Sequence, residues 1–68
     1  MTKEETKKIL YIMYNCFQNF RPKNIVETTE VWEMMLADYT YQQISVALKS
    51  YVLSDTSGFA PTIGQLVD

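Results

Sequence analysis

A helix-start signal occurs four times in this chain of 68 residues. In each case a Thr or Asn lies three positions before a Glu or Gln, as in Thr2-x-x-Glu5, Asn24-x-x-Glu27, Thr40-x-x-Gln43 and Thr62-x-x-Gln65. In such a capping box the first side chain accepts a hydrogen bond from the N–H three residues on. The Glu or Gln side chain accepts one from the first residue's N–H. Four boxes therefore predict four helices and leave little of the chain for strands.

Proline and the next box set the expected helix ends. We predict a first helix that begins at Thr2 and is stopped by Pro22, because the residue before a proline is pushed out of the helical region. The second helix is predicted over 24–38 and the third over 40–53, and a short fourth helix begins at Thr62.

Apolar residues at helical spacing then predict the core. The residues on the four apolar faces are Ile9, Leu10, Ile12, Met13, Cys16, Phe17, Phe20, Ile25, Trp32, Met35, Leu36, Tyr39, Tyr41, Ile44, Ala47, Leu48, Tyr51, Val52, Ile63, Leu66 and Val67. We place Trp32, Leu36, Phe17, Leu48 and Tyr51 at the centre, so that Trp32→Ala is expected to cost about 3–5 kcal/mol. The predicted fold class is all-α. It is one compact monomeric domain over 1–68, a small bundle of three main helices plus a short C-terminal helix.

Four other apolar residues carry expectations of their own. Val46 and Leu53 are opposite the main face of the third helix, and we expect the fourth helix or a second layer of the bundle to cover them; the alternative is that they mark a partner surface. Phe59 follows a polar turn segment over 54–58 and is expected to hold its end to the core. Met34 is out of phase with the second helix and is predicted to point toward solvent or a partner.

Composition excludes most catalytic chemistry. The chain has no His and one Cys, so it has no zinc cluster, disulfide framework or His-assisted nucleophile. Its two glycines stand apart with no Lys near them, whereas a phosphate-binding loop needs several glycines and a Lys. We therefore predict that the chain is not an enzyme and binds no nucleotide, metal or other cofactor. Its apolar runs are also too short to span a membrane.

Two groups of chemically reactive residues are expected to be structural. Glu27, Glu30 and Glu33 recur at every third position, and they are interpreted as a solvated helix face rather than an acid–base or metal site. Cys16 lies on the apolar face of the first helix with no basic neighbour to activate it. We predict that it is a small core residue, which is consistent with a reducing intracellular setting.

The basic residues near the start of the chain are candidates for a partner contact. Lys3, Lys7 and Lys8 form a cluster, but Glu4 and Glu5 interrupt it and the net charge of the chain is −2. This pattern indicates an ordinary solvated surface rather than a phosphate-binding one. The residues that we predict to bind a partner are Tyr11, Met34, Lys7 and Lys8.

Beyond the helix signals, the order of residues from 32 to 66 is that of a known family. The relevant residues are Trp32, Met35, Leu36, Asp38, Tyr39, Tyr41, Ile44, Ala47, Leu48, Tyr51, Val52, Phe59, Pro61, Thr62, Ile63 and Leu66. With the opening Met1-Thr2-Lys3-Glu4-Glu5, the chain resembles the phage replicative-helicase loader and inhibitor family over almost its whole length. It departs from that family at Ala60, where a second proline is expected, and at Gly64, where a better helix former is expected.

The resemblance implies an adaptor rather than a motor. Such a protein binds the hexameric replicative helicase in its ATP-bound form and holds it inactive in the host cytoplasm. An origin-binding replisome organiser then helps to load the helicase on single-stranded DNA. The family also has a polar, poorly ordered C-terminal extension implicated in gripping the helicase. We therefore expect residues 1–68 to be the folded N-terminal part of a longer loader, and to bind the helicase more weakly than the longer protein does.

The alternative from the residues themselves is a small DNA-binding regulator, since short turns between helices can build a helix-turn-helix motif. The recognition helix of such a motif presents Arg, Lys, Asn or Gln to the bases. The third helix offers Gln42 and Gln43, but Lys49 is its only cation. This composition favours the adaptor.

Overall fold

The computed structural model describes all of residues 1–68 and contains four helices and no strand. The helices are α1 (Lys3–Cys16), α2 (Ile25–Met35), α3 (Tyr41–Ser54) and α4 (Ile63–Val67). Helix α1 packs against both α2 and α3, and α4 packs against α3. The predicted all-α class, with three main helices and a short fourth, is confirmed.

Each helix begins at its predicted signal. The boxes of Thr2, Thr40 and Thr62 are complete, with both reciprocal hydrogen bonds between 2.8 and 3.2 Å. At α2 only half of the box forms. The Asn24 side chain accepts from the Glu27 N–H at 3.1 Å, but the Glu27 carboxylate does not accept a bond from the Asn24 N–H.

The ends of α1 and α2 differ from the prediction, whereas α3 ends within one residue of its predicted end. Helix α1 ends at Cys16, and Phe17 adopts an extended backbone with φ −130°. The guanidinium of Arg21 donates from Nη1 to the carbonyl oxygens of Tyr14, Phe17 and Phe20 at 3.0, 3.0 and 2.7 Å. It therefore satisfies carbonyl groups that a longer helix would have paired. Helix α2 likewise ends at Met35, three residues before the predicted end.

The core is the one that the apolar spacing predicts, with fewer members. Its buried apolar cluster is Ile9, Leu10, Met13, Leu36, Ile44, Leu48 and Leu66. Two buried threonines, Thr6 and Thr29, were not predicted. Their hydroxyls donate to the carbonyl oxygens of Thr2 and Ile25, at 2.9 and 2.6 Å. Because each hydroxyl is paired locally, the two can be buried without the cost of an unsatisfied polar group.

Several residues predicted to be in the core lie outside it. Cys16, Ile25 and Met35 are exposed, and each is the first or last residue of its helix. Trp32 and Tyr51 are only partly buried, so their central placement was wrong. Both rings make edge-to-face contacts at the rim of the core. Trp32 packs on Phe20 with centroids 6.3 Å apart, and Tyr51 packs on Phe17 at 5.8 Å.

The segment between α3 and α4 is held by polar bonds rather than by Phe59. The Asp55 carboxylate accepts from the Ser57 hydroxyl at 2.7 Å and from the Gly58 N–H at 2.8 Å, and the Ser57 bond lowers the pKa of Asp55. The prediction that Phe59 holds this segment to the core was wrong, since its side chain is exposed. Its carbonyl instead accepts from the Tyr51 hydroxyl at 2.8 Å, and Pro61 is the buried residue here.

The capping boxes give a first testable prediction. Thr40→Ala removes the acceptor for the Gln43 N–H, and we expect it to lower the free energy of unfolding by about 1 kcal/mol. The matched control is Thr56→Ala, because Thr56 is exposed in the loop and its change is expected to stay within about 0.5 kcal/mol. Urea denaturation followed by circular dichroism measures both. Equal midpoints for the two variants would contradict a stabilising role for this cap.

Candidate partner-binding surface

A groove between α1 and the first half of α2 brings two of the four predicted residues together. It has a volume of about 580 Å³ and is lined by Lys3, Lys7, Leu10, Tyr11, Tyr14, Ile25, Val26, Thr29 and Glu30. Five of these residues recur on one side of α1 at helical spacing, so that the groove follows the length of that helix. Tyr11 and Lys7 were predicted as partner residues, and the structure places both on this wall.

The other two predicted residues lie elsewhere. The Lys8 ammonium is directed toward α3, where it lies 5.9 Å from the centre of the Tyr41 ring. Met34 is exposed, as predicted, but it does not line the groove. The four residues therefore do not form one site: Tyr11 and Lys7 share a surface, whereas Lys8 and Met34 are separate from it.

The groove has a rigid floor and exposed apolar walls. Leu10 and Thr29 form the floor, and both are buried. Tyr11 is 71% exposed and Val26 is 63% exposed, on opposite walls. No buried side-chain nitrogen or oxygen in the chain lacks a hydrogen-bond partner. The surface therefore offers apolar contact, and the buried polar side chains of the protein already have hydrogen-bond partners.

Arg21 fixes one end of this surface. Its guanidinium carbon lies 4.0 Å from the centre of the Tyr14 ring, a cation–π contact. The same side chain donates to the Tyr14 carbonyl at 3.0 Å. The Tyr14 wall is thus held in place before any partner binds.

Sequence reasoning missed most of the walls. Tyr14 and Val26 were not singled out, and Ile25 was assigned to the core. The available signal was the composition of α2, which has six apolar residues among its eleven, while only Thr29 of this helix is buried. An apolar helix with so little burial has surface left for a partner.

A second, smaller groove of about 380 Å³ lies between α1 and α3. Its lining includes Ile12, Cys16, Val46, Lys49 and Leu53. Val46 and Leu53 were expected to be covered, and that expectation was wrong, because α4 is short and does not reach this side of α3. The Cys16 thiol opens to this groove instead of the core.

The acidic residues and the third helix carry the remaining sequence-based expectations. No group of three or more His, Cys, Asp or Glu side chains is placed to hold a metal ion. Glu27 and Glu30 are exposed, as expected of a solvated face, whereas Glu33 is half-buried. Gln43, a candidate for reading DNA bases, uses its side chain in the α3 capping box at 2.9 Å. None of the helices is long and apolar enough to cross a membrane.

Comparison with known proteins gives one assignment. A family model that describes the N-terminal domain of a phage helicase loader and inhibitor matches residues 1–67. The match therefore includes all four helices and both grooves. No curated protein sequence and no solved structure matches the chain significantly.

Proposed function

The chain belongs to the N-terminal domain family of phage helicase loaders and inhibitors, and from this premise we propose that it binds the hexameric replicative helicase in its ATP-bound form and holds it inactive. An origin-binding replisome organiser then helps it to load the helicase on single-stranded DNA. The observation that carries this proposal is the family match over residues 1–67.

The adaptor role extends to what the chain does not do. We propose that it hydrolyses no ATP and binds no nucleotide itself, and that it acts as a monomer in the host cytoplasm. The sequence supports the proposed absence of nucleotide binding and ATP hydrolysis, since neither Gly58 nor Gly64 belongs to a phosphate-binding loop and there is no His. In this scheme the ATP hydrolysis that is inhibited belongs entirely to the helicase.

The exposed aromatic wall of α1 supports a contact of this domain with the helicase. Tyr residues are enriched among those that dominate binding energy at interfaces, because they bring large contact area with few rotatable bonds. We propose Tyr11 and Lys7 as primary contacts, with Lys8 and Met34 as separate contacts at the edges of the interface.

The nucleotide dependence can be tested by co-elution. Purified chain is mixed with the hexameric helicase in a non-hydrolysable ATP analogue, in ADP, or without nucleotide, and then passed through a size-exclusion column. We expect co-elution with the ATP analogue and much less with ADP. A folded chain that co-elutes in none of the three states, even at concentrations that allow for the weaker binding expected of residues 1–68, would contradict helicase binding by this domain. Salt-sensitive binding of random duplex DNA in its place would favour the DNA-binding alternative.

The matched family describes an N-terminal domain, and we propose that residues 1–68 are the folded N-terminal part of a longer loader. A disordered segment can wrap a partner with more contact area per residue than a small globular surface provides. In this scheme the folded domain and a disordered C-terminal extension each make part of the contact with the helicase.

A further inference from the structure

Helix α4 is a short element that depends on one buried side chain of its own. It packs chiefly against α3, and only Leu66 of its five residues is buried. Helices shorter than about 12–15 residues are marginal in water without tertiary contacts, so α4 is helical only while it is docked. The other six members of the buried apolar cluster lie in α1, in α3 and at the C-terminal cap of α2. The core of the first three helices is therefore built largely without α4.

Two hydrogen bonds attach the segment that enters α4. The Tyr51 hydroxyl donates to the Phe59 carbonyl oxygen at 2.8 Å, and the Ala60 N–H donates to Oδ1 of Asn19 at 3.0 Å. Both bonds are exposed, so water can replace either of them at little cost in free energy. Pro61 is the buried residue of this segment. Docking therefore depends chiefly on Pro61 and on the buried side chain of α4.

The loop between α3 and α4 has the properties of a hinge. None of residues 54–60 is buried. The Ser57 hydroxyl and the Gly58 N–H donate to the Asp55 carboxylate, and the Phe59 N–H donates to the Ser57 hydroxyl. Gly58 has φ +80°, and nothing lies within 4 Å of the position that a Cβ would take. The three bonds stay within residues 55–59, so α4 can move away from the core while they remain intact.

We propose that α4 and residues 59–62 open from the core as one unit while α1, α2 and α3 stay folded, with residues 55–58 as the hinge. Proteins open in such cooperative units, with free energies below that of global unfolding. Opening withdraws Leu66 from the buried apolar cluster and exposes the apolar surface that it covers. Helix α4 is then a strap over the core that gives the domain a second, less compact state. The inference is separate from helicase binding, and all of its tests use the chain alone.

Native-state hydrogen exchange of the ¹⁵N-labelled chain measures the opening directly. The Leu66 N–H donates to the Thr62 carbonyl oxygen at 3.2 Å, so its exchange reports the opening of α4. We expect its protection factor to be at least about tenfold below those of the Met13 and Leu48 amides, because these buried residues of α1 and α3 exchange only on global unfolding. Equal protection at the three amides would mean that all four helices open together, and it would overturn the proposal.

Gly64→Ala distinguishes opening of the whole strap from fraying of its last residues. Gly64 lies inside α4, and a Cβ there would meet only the Thr62 hydroxyl oxygen, at 3.8 Å, so Ala fits without strain. Because Ala has fewer conformations than Gly in the open segment, we expect about two- to fivefold higher protection of the Leu66 amide. Unchanged protection would show that this amide exchanges by fraying beyond Gly64, and the strap would then not open as a unit.

Loss of the buried side chain should populate the open state. In Leu66→Ala we expect the amides of α4 to lose their protection while the amide signals of α1 keep the dispersion of a folded chain. The matched control is Leu48→Ala, because Leu48 belongs to the same buried cluster but lies on α3. Its loss should lower protection in all of the helices. A Leu66→Ala chain whose α1 signals disappear together with those of α4 would overturn the proposal, since α4 would then be inseparable from the core.

Discussion

Leu36→Ala is expected to lower the free energy of unfolding by about 3 kcal/mol, within the range of about 2–5 kcal/mol for buried Leu→Ala changes. Leu36 is 0% exposed, and it is the only member of the buried apolar cluster that lies between α1 and α3 in the sequence. It therefore anchors the end of α2 to the rest of the fold. Since small domains have about 5–15 kcal/mol of stability in all, this change would remove from about a fifth to more than half of it.

The matched control for this change is two residues away. Met34 is 65% exposed near the end of the same helix, so Met34→Ala should stay within about 0.5 kcal/mol of wild type. The loss of unfolding free energy for Trp32→Ala should be smaller than that for Leu36→Ala, because the indole lies at the rim of the core and not at its centre. Urea midpoints give the three values. A Leu36→Ala midpoint as high as that of Met34→Ala would contradict the assignment of the core.

Helicase inhibition by residues 1–68 alone is expected to need at least about tenfold more protein than inhibition by the longer loader. A standard interface buries about 800 Å² on each partner. The whole domain has 4757 Å² of accessible surface, and most of its large exposed apolar side chains belong to α2 and the facing side of α1. An interface of that size would take about a sixth of the domain's surface, whereas an extension that orders on binding can supply further contact area.

The measurement is a titration of both forms against the same helicase. The circular dichroism spectra of the two forms should share the helical signal of the domain, which shows that the difference is not one of folding. Equal inhibition at equal concentration would mean that residues 1–68 make all of the contacts needed to inhibit the helicase.

The start of each helix could be predicted from the sequence, but the ends of α1 and α2 could not. A capping box is a local signal, complete within four residues, and the boxes at Thr2, Thr40 and Thr62 form as written. The end of α1 depends on Arg21, which reaches back over seven residues to the Tyr14 carbonyl. No pattern of apolar residues encodes that bond, so the prediction extended the helix to Pro22.

Burial was predictable for the middle of α1 and not for its end. Ile9 and Met13 lie at the centre of the α1 face and are buried, whereas Cys16 is the last residue of α1 and is exposed. Periodicity defines a direction, but the width of the covered strip depends on how the neighbouring helices pack. The same limit applies to the groove. The spacing in α1 places Tyr11 away from the core face, whereas the spacing in α2 assigns Ile25 to the core, although Ile25 is exposed in the structure.

The most direct test of the central claim is the steady-state rate of ATP hydrolysis by the hexameric helicase as the chain is titrated into it. We expect the rate to fall saturably to a low plateau, with no hydrolysis by the chain alone and weaker inhibition by the Tyr11→Ser variant. A helicase rate that stays unchanged in a large excess of chain, when circular dichroism shows that the chain is folded, would contradict it.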